Sequence, residues 1–219
     1  MCHRLRESRE AWENEYRQKG QIWKGAPPIL PDLPSGSQVL ELGCGNGKTL
    51  SAMLKRPWQL TALDFSSRAV NLSRNMAATT SGSPDFVVGD SASLPFKDGA
   101  FDAVFAFHIT GHLIEDRRQR MASEVARVLD REGRLFFLEF EQEDMRAGKG
   151  EMVEPFTFMR GDGILTHYFS REEVAELFRV LQPVSVDSQR RTLRIRGQDL
   201  LRSEIVAIFV KGEQRDFRL

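Results

Sequence analysis

Residues 39-VLELGCGNGKTL-50 decide the fold of this chain. A short apolar run comes first, then three glycines within five residues, and then a helix-like run. Glycine destabilises the interior of a helix or strand, so glycines at this density are typical of a tight turn that a ligand approaches closely. We therefore predict a strand, a ligand-binding loop and a helix, with Glu41 placed just before the loop.

Strand-like and helix-like segments alternate from residue 38 to residue 140, a region that begins with this stretch. Such alternation predicts an α/β fold of three layers, a mostly parallel sheet with helices on both faces. Residues 184–196 and 204–211 predict two final strands that form a hairpin at the sheet edge. In sheets of this kind, ligands bind beyond the carboxyl ends of the strands.

Two stretches do not follow the alternation. Residues 1–37 contain a polar helix at about 6–18 and a connector rich in proline and glycine, and we interpret them as a segment that covers the site. The domain itself is predicted to span residues 38–219. Within it, residues 141–168 are charged and irregular and too long for a simple connection, which favours a lid or an acceptor-site insertion.

The composition excludes several classes of function. The chain has 219 residues, with 31 basic and 31 acidic side chains, so no net charge attracts it to nucleic acid or to a membrane. The two cysteines have no metal-site spacing, and no metal is expected. No apolar run approaches the ~20 residues that span a bilayer, and the charged N-terminus lacks the apolar core of a signal peptide. This pattern predicts a cytoplasmic protein.

The ligand is predicted from two acidic residues. Asp64 ends the second strand, 21 residues after Gly43, and an acid at about this distance binds ribose hydroxyls. A dinucleotide loop has the spacing G-x-G-x-x-G, whereas the third glycine here comes one position earlier. Glu41 would repel a phosphate and suits a cationic ligand. S-adenosylmethionine, which carries a sulfonium and an ammonium group, meets both conditions.

These motifs resemble those of the class I S-adenosylmethionine-dependent methyltransferases. That family has a three-layer Rossmann-like fold with a seven-stranded, mostly parallel sheet and an antiparallel last strand. The resemblance covers residues 39–140 and rests on 41-ELGCGNG-47, 61-TALDFS-66, 88-VGDSASLPFKDGAFDAV-104 and 127-RVLDREGRLFFLEF-140. It implies S-adenosyl-L-methionine as the cofactor and S-adenosyl-L-homocysteine as the product.

The resemblance also implies a role for individual residues. Glu41 and the glycine loop would hold the methionine part, Asp64 the ribose, and Asp90 the adenine. The N-terminal stretch 12-WENEYRQKGQIWKGAPP-28 is similar to the opening of small-molecule thiol, thiopurine and tellurite methyltransferases, in which a tryptophan-bearing segment folds over the cofactor. The remaining cofactor-binding residues that the resemblance implies are Gly43, Cys44, Gly45, Gly47, Phe65, Ser91 and Ala92.

Three residues are candidates for catalysis at the acceptor. His108 ends the fourth strand and is interpreted as a base or an orienting group, since histidine titrates near neutrality. His167 and Tyr168 follow the insertion and either face the acceptor or form an aromatic plug inside the lid. A base is needed only when the acceptor must lose a proton.

Two charged runs have more than one interpretation. The run 139-EFEQED-144 either favours a cationic or neutral acceptor or is a solvated loop. Arg190, Arg194 and Arg196 share one side of a strand by period two. They form either a patch for RNA or an acidic partner, or a charged edge that prevents pairing with other strands.

The function we predict is methyl transfer to a small molecule or a protein side chain. Nucleic acid is a less favoured acceptor, and a tRNA or translation-factor methyltransferase with a small activator subunit stays open. A nucleotide-dependent oxidoreductase and a non-catalytic nucleotide-binding scaffold are the alternatives from other classes. The sequence indicates neither the acceptor atom, which is N, O, S or C, nor the oligomeric state.

Overall fold

The computed structural model describes residues 2–20, 27–80 and 83–212 of the chain. Part of the predicted connector, and part of the aromatic motif at residues 12–28, lie outside the described residues. The helices are α1 Cys2–Lys19, α2 Leu50–Met53, α3 Ser67–Ala77, α4 Glu115–Val128 and α5 Arg171–Leu177, with a short 3-10 helix at Thr110–His112. The strands are β1 Gln38–Leu42, β2 Gln59–Asp64, β3 Asp85–Val88, β4 Phe101–Phe107, β5 Leu129–Phe140, β6 Glu151–Glu154, β7 Thr157–Met159, β8 Leu165–His167, β9 Gln182–Ile195 and β10 Gln198–Val210.

Seven of these strands form the main sheet, in the order β3-β2-β1-β4-β5-β10-β9. The pairs from β3 to β5 are parallel, whereas β10 runs antiparallel to both β5 and β9. The predicted fold class and the predicted edge hairpin are confirmed. Because the chain moves outward from β1 in both directions, the carboxyl ends of β1 and β4 form the crevice in which such sheets bind ligands.

The central strands are apolar because both of their faces are covered. Val39 and Leu40 of β1 and Val104 and Phe105 of β4 are fully buried, as expected for parallel strands between two helical layers. Helix α3 begins where its sequence predicts, since the side chain of Ser66 accepts a hydrogen bond of 3.1 Å from the amide of Ala69.

Two predicted elements differ from the structure. The region 141–168 is not irregular throughout, since β6, β7 and β8 form a small antiparallel sheet within it. Strands of three or four residues carry too little side-chain alternation to be recognised in a sequence. The helix that was predicted after the glycine loop, α2, is also short, at four residues.

Helix α1 packs beside the site rather than away from it. Trp12 and Tyr16 are buried and stack on each other with ring centroids 5.6 Å apart. They form a small cluster with Ala69 of α3 and Ile164 of the insertion. The helix therefore joins the main domain to the insertion.

None of the described helices is long and apolar enough to cross a membrane. In the same part of the chain, no group of three or more histidine, cysteine, aspartate or glutamate side chains is arranged to hold a metal ion.

Candidate functional site

A cavity of about 990 Å³ lies at the carboxyl ends of β1, β2, β4 and β5. Its walls come from the loop after β1, the strand ends, helix α1, the insertion and the β9–β10 hairpin. The cavity therefore occupies the position at which the strand order predicts a ligand.

The glycine loop turns sharply between β1 and α2. Gly43 has a φ of +72°, and a Cβ at this position would lie 3.0 Å from the side chain of Ile109. The amides of Gly43 and Cys44 both donate hydrogen bonds to the carbonyl oxygen of Leu63, at 2.8 and 3.1 Å. Backbone conformation and space thus both require glycine at position 43.

Asp64 connects the glycine loop to the end of β2. One carboxylate oxygen accepts a hydrogen bond of 3.0 Å from the amide of Gly45, and the other accepts one of 2.9 Å from the amide of Ser66. Burial raises the pKa of Asp64 to about 6. Each carboxylate oxygen has a second lone pair, so the group can still accept a bond from a ligand hydroxyl.

Glu41 lies on the same cavity wall, one strand away. Burial, and then the neighbouring charge of Asp64, raise the pKa of Glu41 to about 8. Its Oε2 is buried and has no hydrogen-bond partner among the described residues. A buried carboxyl oxygen without a partner is unfavourable unless a ligand supplies a donor.

The next strand end carries the residues predicted at the adenine. Asp90 accepts a hydrogen bond of 3.0 Å from the amide of Ala92 and pairs with the guanidinium of Arg117. Ser91 and Phe65 line the cavity, whereas Asp90 and Ala92 do not contribute to its wall. Ser91 and Phe65 therefore share the cavity wall, and Asp90, the chain neighbour of Ser91, lies just outside it.

His108 follows β4 and lines the cavity with an unusual backbone conformation. Its φ is +53°, a left-handed value that non-glycine residues rarely adopt. The imidazole stacks on Phe140 with centroids 4.5 Å apart, and its Nε2 lies 3.6 Å from Oε1 of Glu204. Burial, followed by the nearby charges of His112 and Arg146, lowers the pKa of His108 to about 3. The ring is therefore neutral at physiological pH.

Known proteins resemble the region that carries this geometry. Residues 40–137 match the family described as Methyltransferase domain. Residues 40–137 therefore form a methyltransferase domain of the class I S-adenosylmethionine-dependent type. The predicted family, enzyme class and cofactor, S-adenosylmethionine, are thereby confirmed.

The relatives of this methyltransferase have several described activities. A tRNA N(3)-cytidine methyltransferase METTL2 of Danio rerio is 28% identical over 160 residues, which cover 68% of this chain and 45% of that protein. A structure of a methyltransferase from Methanosarcina mazei has a TM-score of 0.69 and 24% identity, covering 82% of this chain and 94% of that one. A structure of the Haloferax volcanii Trm112 activator with a methyltransferase gives a TM-score of 0.66 and 21% identity, covering 92% and 96%.

The curated relatives are longer than the matched region. The matches span from 30% to 63% of their length. The chain thus spans about a third to two thirds of the length of these relatives, and the two structures, at under 25% identity, show the fold.

The residues on the wall suit the cofactor. The buried Oε2 of Glu41 has no hydrogen-bond donor beside it among the described residues. It can therefore accept a hydrogen bond from the ammonium group of the cofactor. Asp64 and the glycine loop lie on the same side of the cavity, and Cys44 lines it with a buried thiol whose pKa is raised by burial. Gly45 and Gly47 have φ values of +54° and +85°. In Gly47 the lack of a Cβ serves packing, since a Cβ would lie 2.5 Å from Met76 of α3.

His167 and Tyr168 do not line the cavity of the methyltransferase. Nδ1 of His167 lies 2.7 Å from the hydroxyl of Thr157, and Nε2 lies 2.8 Å from Glu173. Tyr168 is fully buried, with its ring near Phe140 and Phe158. This placement matches the aromatic plug, one of the two interpretations of the sequence.

Glu139, Glu141 and Asp144 of the acidic run at residues 139–144 are buried, whereas Glu143 is exposed. Glu141 accepts hydrogen bonds of 2.5 Å from the hydroxyls of Ser188 and Ser203, one to each oxygen. Burial raises the pKa of Glu139 to about 8, and its Oε1 accepts a bond of 2.9 Å from the amide of Gly111. These carboxyl groups fasten the end of β5 to its neighbours, so the interpretation as a solvated loop is wrong for both residues.

The arginine strip on β9 is largely paired. Arg190 lies 3.7 Å from Glu141, and Arg194 lies 3.0 Å from Asp199 of the adjacent strand. Arg196 has a φ of +50° at the hairpin turn. Two of the three arginines therefore have acidic neighbours within the chain.

Several cavity residues were not recognised in the sequence. Helix α1 contributes Trp12 and Tyr16, which belong to the predicted covering segment, whereas Arg202 and Glu204 of the strand β10 were not recognised. The period of two along β10 places these last two side chains on one face, which is the only sequence signal for them. The other unrecognised charged residues on the wall are Glu7, Lys48, Arg117, Arg146, Glu151 and Arg191.

Proposed function

We propose that the chain transfers a methyl group from S-adenosylmethionine to a small molecule or a protein side chain that enters the cavity. The observation that carries the proposal is that Glu41, Asp64 and His108 line one continuous space. A cofactor held by the first two residues and an acceptor beside the third would therefore meet inside the cavity.

The chain would contribute mainly by positioning. S-adenosylmethionine supplies an activated methyl group on its sulfonium. Glu41 would pair with the ammonium group, Asp64 with the ribose, and Ser91 and Phe65 would contact the adenine. Alignment of donor and acceptor contributes up to about 7–11 kcal/mol in favourable cases.

His108 would act on the acceptor side. Because its pKa lies at about 3, the imidazole is neutral and a weak base at physiological pH, so it would orient the acceptor by a hydrogen bond rather than take its proton. Its Nδ1 has no hydrogen-bond partner among the described residues and lies 3.9 Å from Glu139. A hydrogen bond of this kind typically contributes about 0.5–1.5 kcal/mol.

Residues 1–37 would cover the cofactor, as the sequence predicts. Trp12 contacts the ring of His112 with centroids 4.8 Å apart, and both residues line the cavity. Pro27, Pro28 and Ile29 line it as well. Residues 141–168 contribute Arg146 and Leu165 to the wall, which supports their proposed role at the acceptor.

A second candidate is a tRNA or translation-factor methyltransferase that works with a small activator subunit. It is favoured by the METTL2 relatives and by the structure of the Haloferax volcanii complex with Trm112. In the sequence, the argument for this candidate was the arginine strip. Because Arg190 and Arg194 pair with acidic residues of the same chain, they give it no support.

Calorimetric titration with S-adenosylhomocysteine, with NAD in parallel, tests the cofactor site. We expect micromolar binding of the first and none of the second, and binding of NAD alone would overturn the proposal. Transfer of a labelled methyl group to thiols, amines, proteins and tRNA, with and without an activator subunit, then separates the two candidates. The proposed compartment is the cytoplasm, which cell fractionation tests.

A further inference from the structure

Two arginines on the acceptor side of the cavity share one carboxylate. Nε of Arg146 lies 3.3 Å from Oδ1 of Asp144, and Nε of Arg202 lies 3.2 Å from Oδ2 of the same residue. Both arginines line the cavity. Two guanidinium groups with one carboxylate leave one positive charge without a counterion among the residues that the structure describes.

This excess charge is poorly hydrated. The side chain of Arg146 is 21% exposed, that of Arg202 13%, and that of Asp144 is fully buried. The Nη2 of Arg146 is buried and has no hydrogen-bond partner among the described residues. A buried charged donor without an acceptor is unfavourable, and an anionic ligand would satisfy it.

The neighbouring charges do not neutralise this pair. Arg191 lies 3.3 Å from Glu204, so those two residues balance each other. Glu139 has a pKa of about 8 because it is buried, and it therefore carries little negative charge at neutral pH. Glu151 is on the cavity wall but is exposed to solvent.

The pair lies beside the proposed acceptor position. The guanidinium carbon of Arg146 is 3.8 Å from the centroid of the Phe140 ring, and that of Arg202 is 5.0 Å from it. Phe140 also stacks on His108. The two arginines and His108 are thus grouped around one aromatic ring, at the ends of β4, β5 and β10.

We propose that the acceptor carries an oxyanion, a carboxylate or a phosphate, that binds to Arg146 and Arg202. Guanidinium groups present paired donors that match the oxygens of such anions. The imidazole of His108, which stacks on Phe140, would lie beside the body of the acceptor. This inference rests on the proposed methyltransferase function and specifies its substrate class.

The test uses matched aromatic probes with the full chain saturated with S-adenosylhomocysteine. Benzoate and phenyl phosphate carry the anion, and benzamide and benzyl alcohol are their neutral counterparts. Affinities are measured by calorimetry or by ligand-observed NMR for the wild type, Arg146→Gln and Arg202→Gln. Arg194→Gln, which changes an exposed arginine paired with Asp199, is the control.

We expect the wild type and the control to bind at least one anionic probe about tenfold more tightly than its neutral counterpart, and each cavity variant to lose this preference. Affinity for S-adenosylhomocysteine should be the same in all four proteins, which shows that they are folded. Equal binding of charged and neutral probes, no binding of the anions, or a preference that survives both substitutions would overturn the inference.

Two further comparisons distinguish a carboxylate acceptor from a phosphate acceptor, and a small-molecule acceptor from tRNA. Preference for benzoate over phenyl phosphate assigns a carboxylate acceptor, and the reverse assigns a phosphate. If the same substitutions weaken tRNA binding but leave the small anions unaffected, the small-molecule inference is overturned. If S-adenosylhomocysteine itself does not bind, the proposed function fails instead.

Discussion

The amide of Gly45 donates a hydrogen bond of 3.0 Å to Asp64, and this bond connects the glycine loop after β1 to the end of β2. The other oxygen of Asp64 accepts a bond from Ser66, the residue that caps α3. One carboxylate therefore fixes the loop, the strand end and the helix start at the place where the cofactor is expected.

Asp64→Ala is expected to weaken binding of S-adenosylhomocysteine tenfold or more. The substitution removes a charge-assisted bond to the ribose, which contributes about 1.5–3 kcal/mol, and also releases the amide of Gly45. Calorimetry measures the affinity, and circular dichroism checks the fold. Asp32→Ala is the control, because Asp32 is exposed and pairs only with Arg56 in the described residues. Unchanged affinity in a folded Asp64→Ala protein would refute the ribose assignment.

Glu41 is expected to release a proton when the cofactor binds near pH 7. Burial holds its pKa at about 8 in the free protein, and a cationic ligand favours the ionised form. Calorimetric titration in two buffers with different enthalpies of ionisation measures the release. Glu41→Gln should abolish the difference between buffers and weaken binding. Identical heats in both buffers for the wild type would contradict this prediction.

The free protein is expected to lose stability as the pH rises from about 6.5 to 8, since below this interval the lowered pKa of His108 acts in the opposite direction. Glu41 and Glu139 each have a folded pKa of about 8, above the ordinary carboxyl value of 4.5. The unfolded chain releases these protons first, so the unfolding free energy falls across this interval, by up to about 1.4 kcal/mol per pH unit for each group. Urea unfolding at several pH values measures the slope, and Glu139→Gln should reduce it. A stability that rises with pH over this range would show that the two carboxyls are ionised in the folded protein.

His108→Ala is expected to leave the affinity for S-adenosylhomocysteine unchanged and to lower turnover several-fold, since a hydrogen bond that orients the acceptor contributes about 0.5–1.5 kcal/mol. The ring should also stay neutral down to about pH 4, since its pKa is about 3. NMR of the imidazole protons, assigned by their loss in the variant, follows this titration. Full activity of the variant would remove His108 from the mechanism, and a titration near pH 6.5 would show that its ring is hydrated.

Trp12→Ala is expected to weaken binding of S-adenosylhomocysteine several-fold and to speed its release. The indole is buried against Tyr16 and His112, so its loss loosens helix α1 over the cavity. Stopped-flow displacement measures the release rate. Arg17→Ala, on the exposed side of the same helix, is the matched control. Equal release rates for both variants would show that α1 does not cover the cofactor.

The sequence predicts the cofactor half of the site because its signals are local. One continuous unit, β1–loop–α2–β2–α3, contains the glycine loop, Asp64 and the cap at Ser66. The spacing of these residues along the sequence is therefore enough to predict that they lie close together. The acceptor half depends on distant contacts. Glu141 and Ser203 are 62 residues apart, and only the pairing of β5 with β10 brings them together. Arg146 lies outside the helices and strands, in a loop without a periodic pattern of apolar residues. The sequence around it therefore did not indicate that its side chain would reach the cavity.

The left-handed backbone at His108 has an implication for how selection acts on this chain. A non-glycine residue in that conformation costs about 1–2 kcal/mol, and glycine would adopt it freely. The backbone conformation alone would therefore favour glycine at position 108, whereas the stacking of the imidazole on Phe140 favours histidine. Among orthologous chains, a histidine retained at this position would indicate that the imidazole is needed. Replacement by glycine would indicate that those lineages no longer use it.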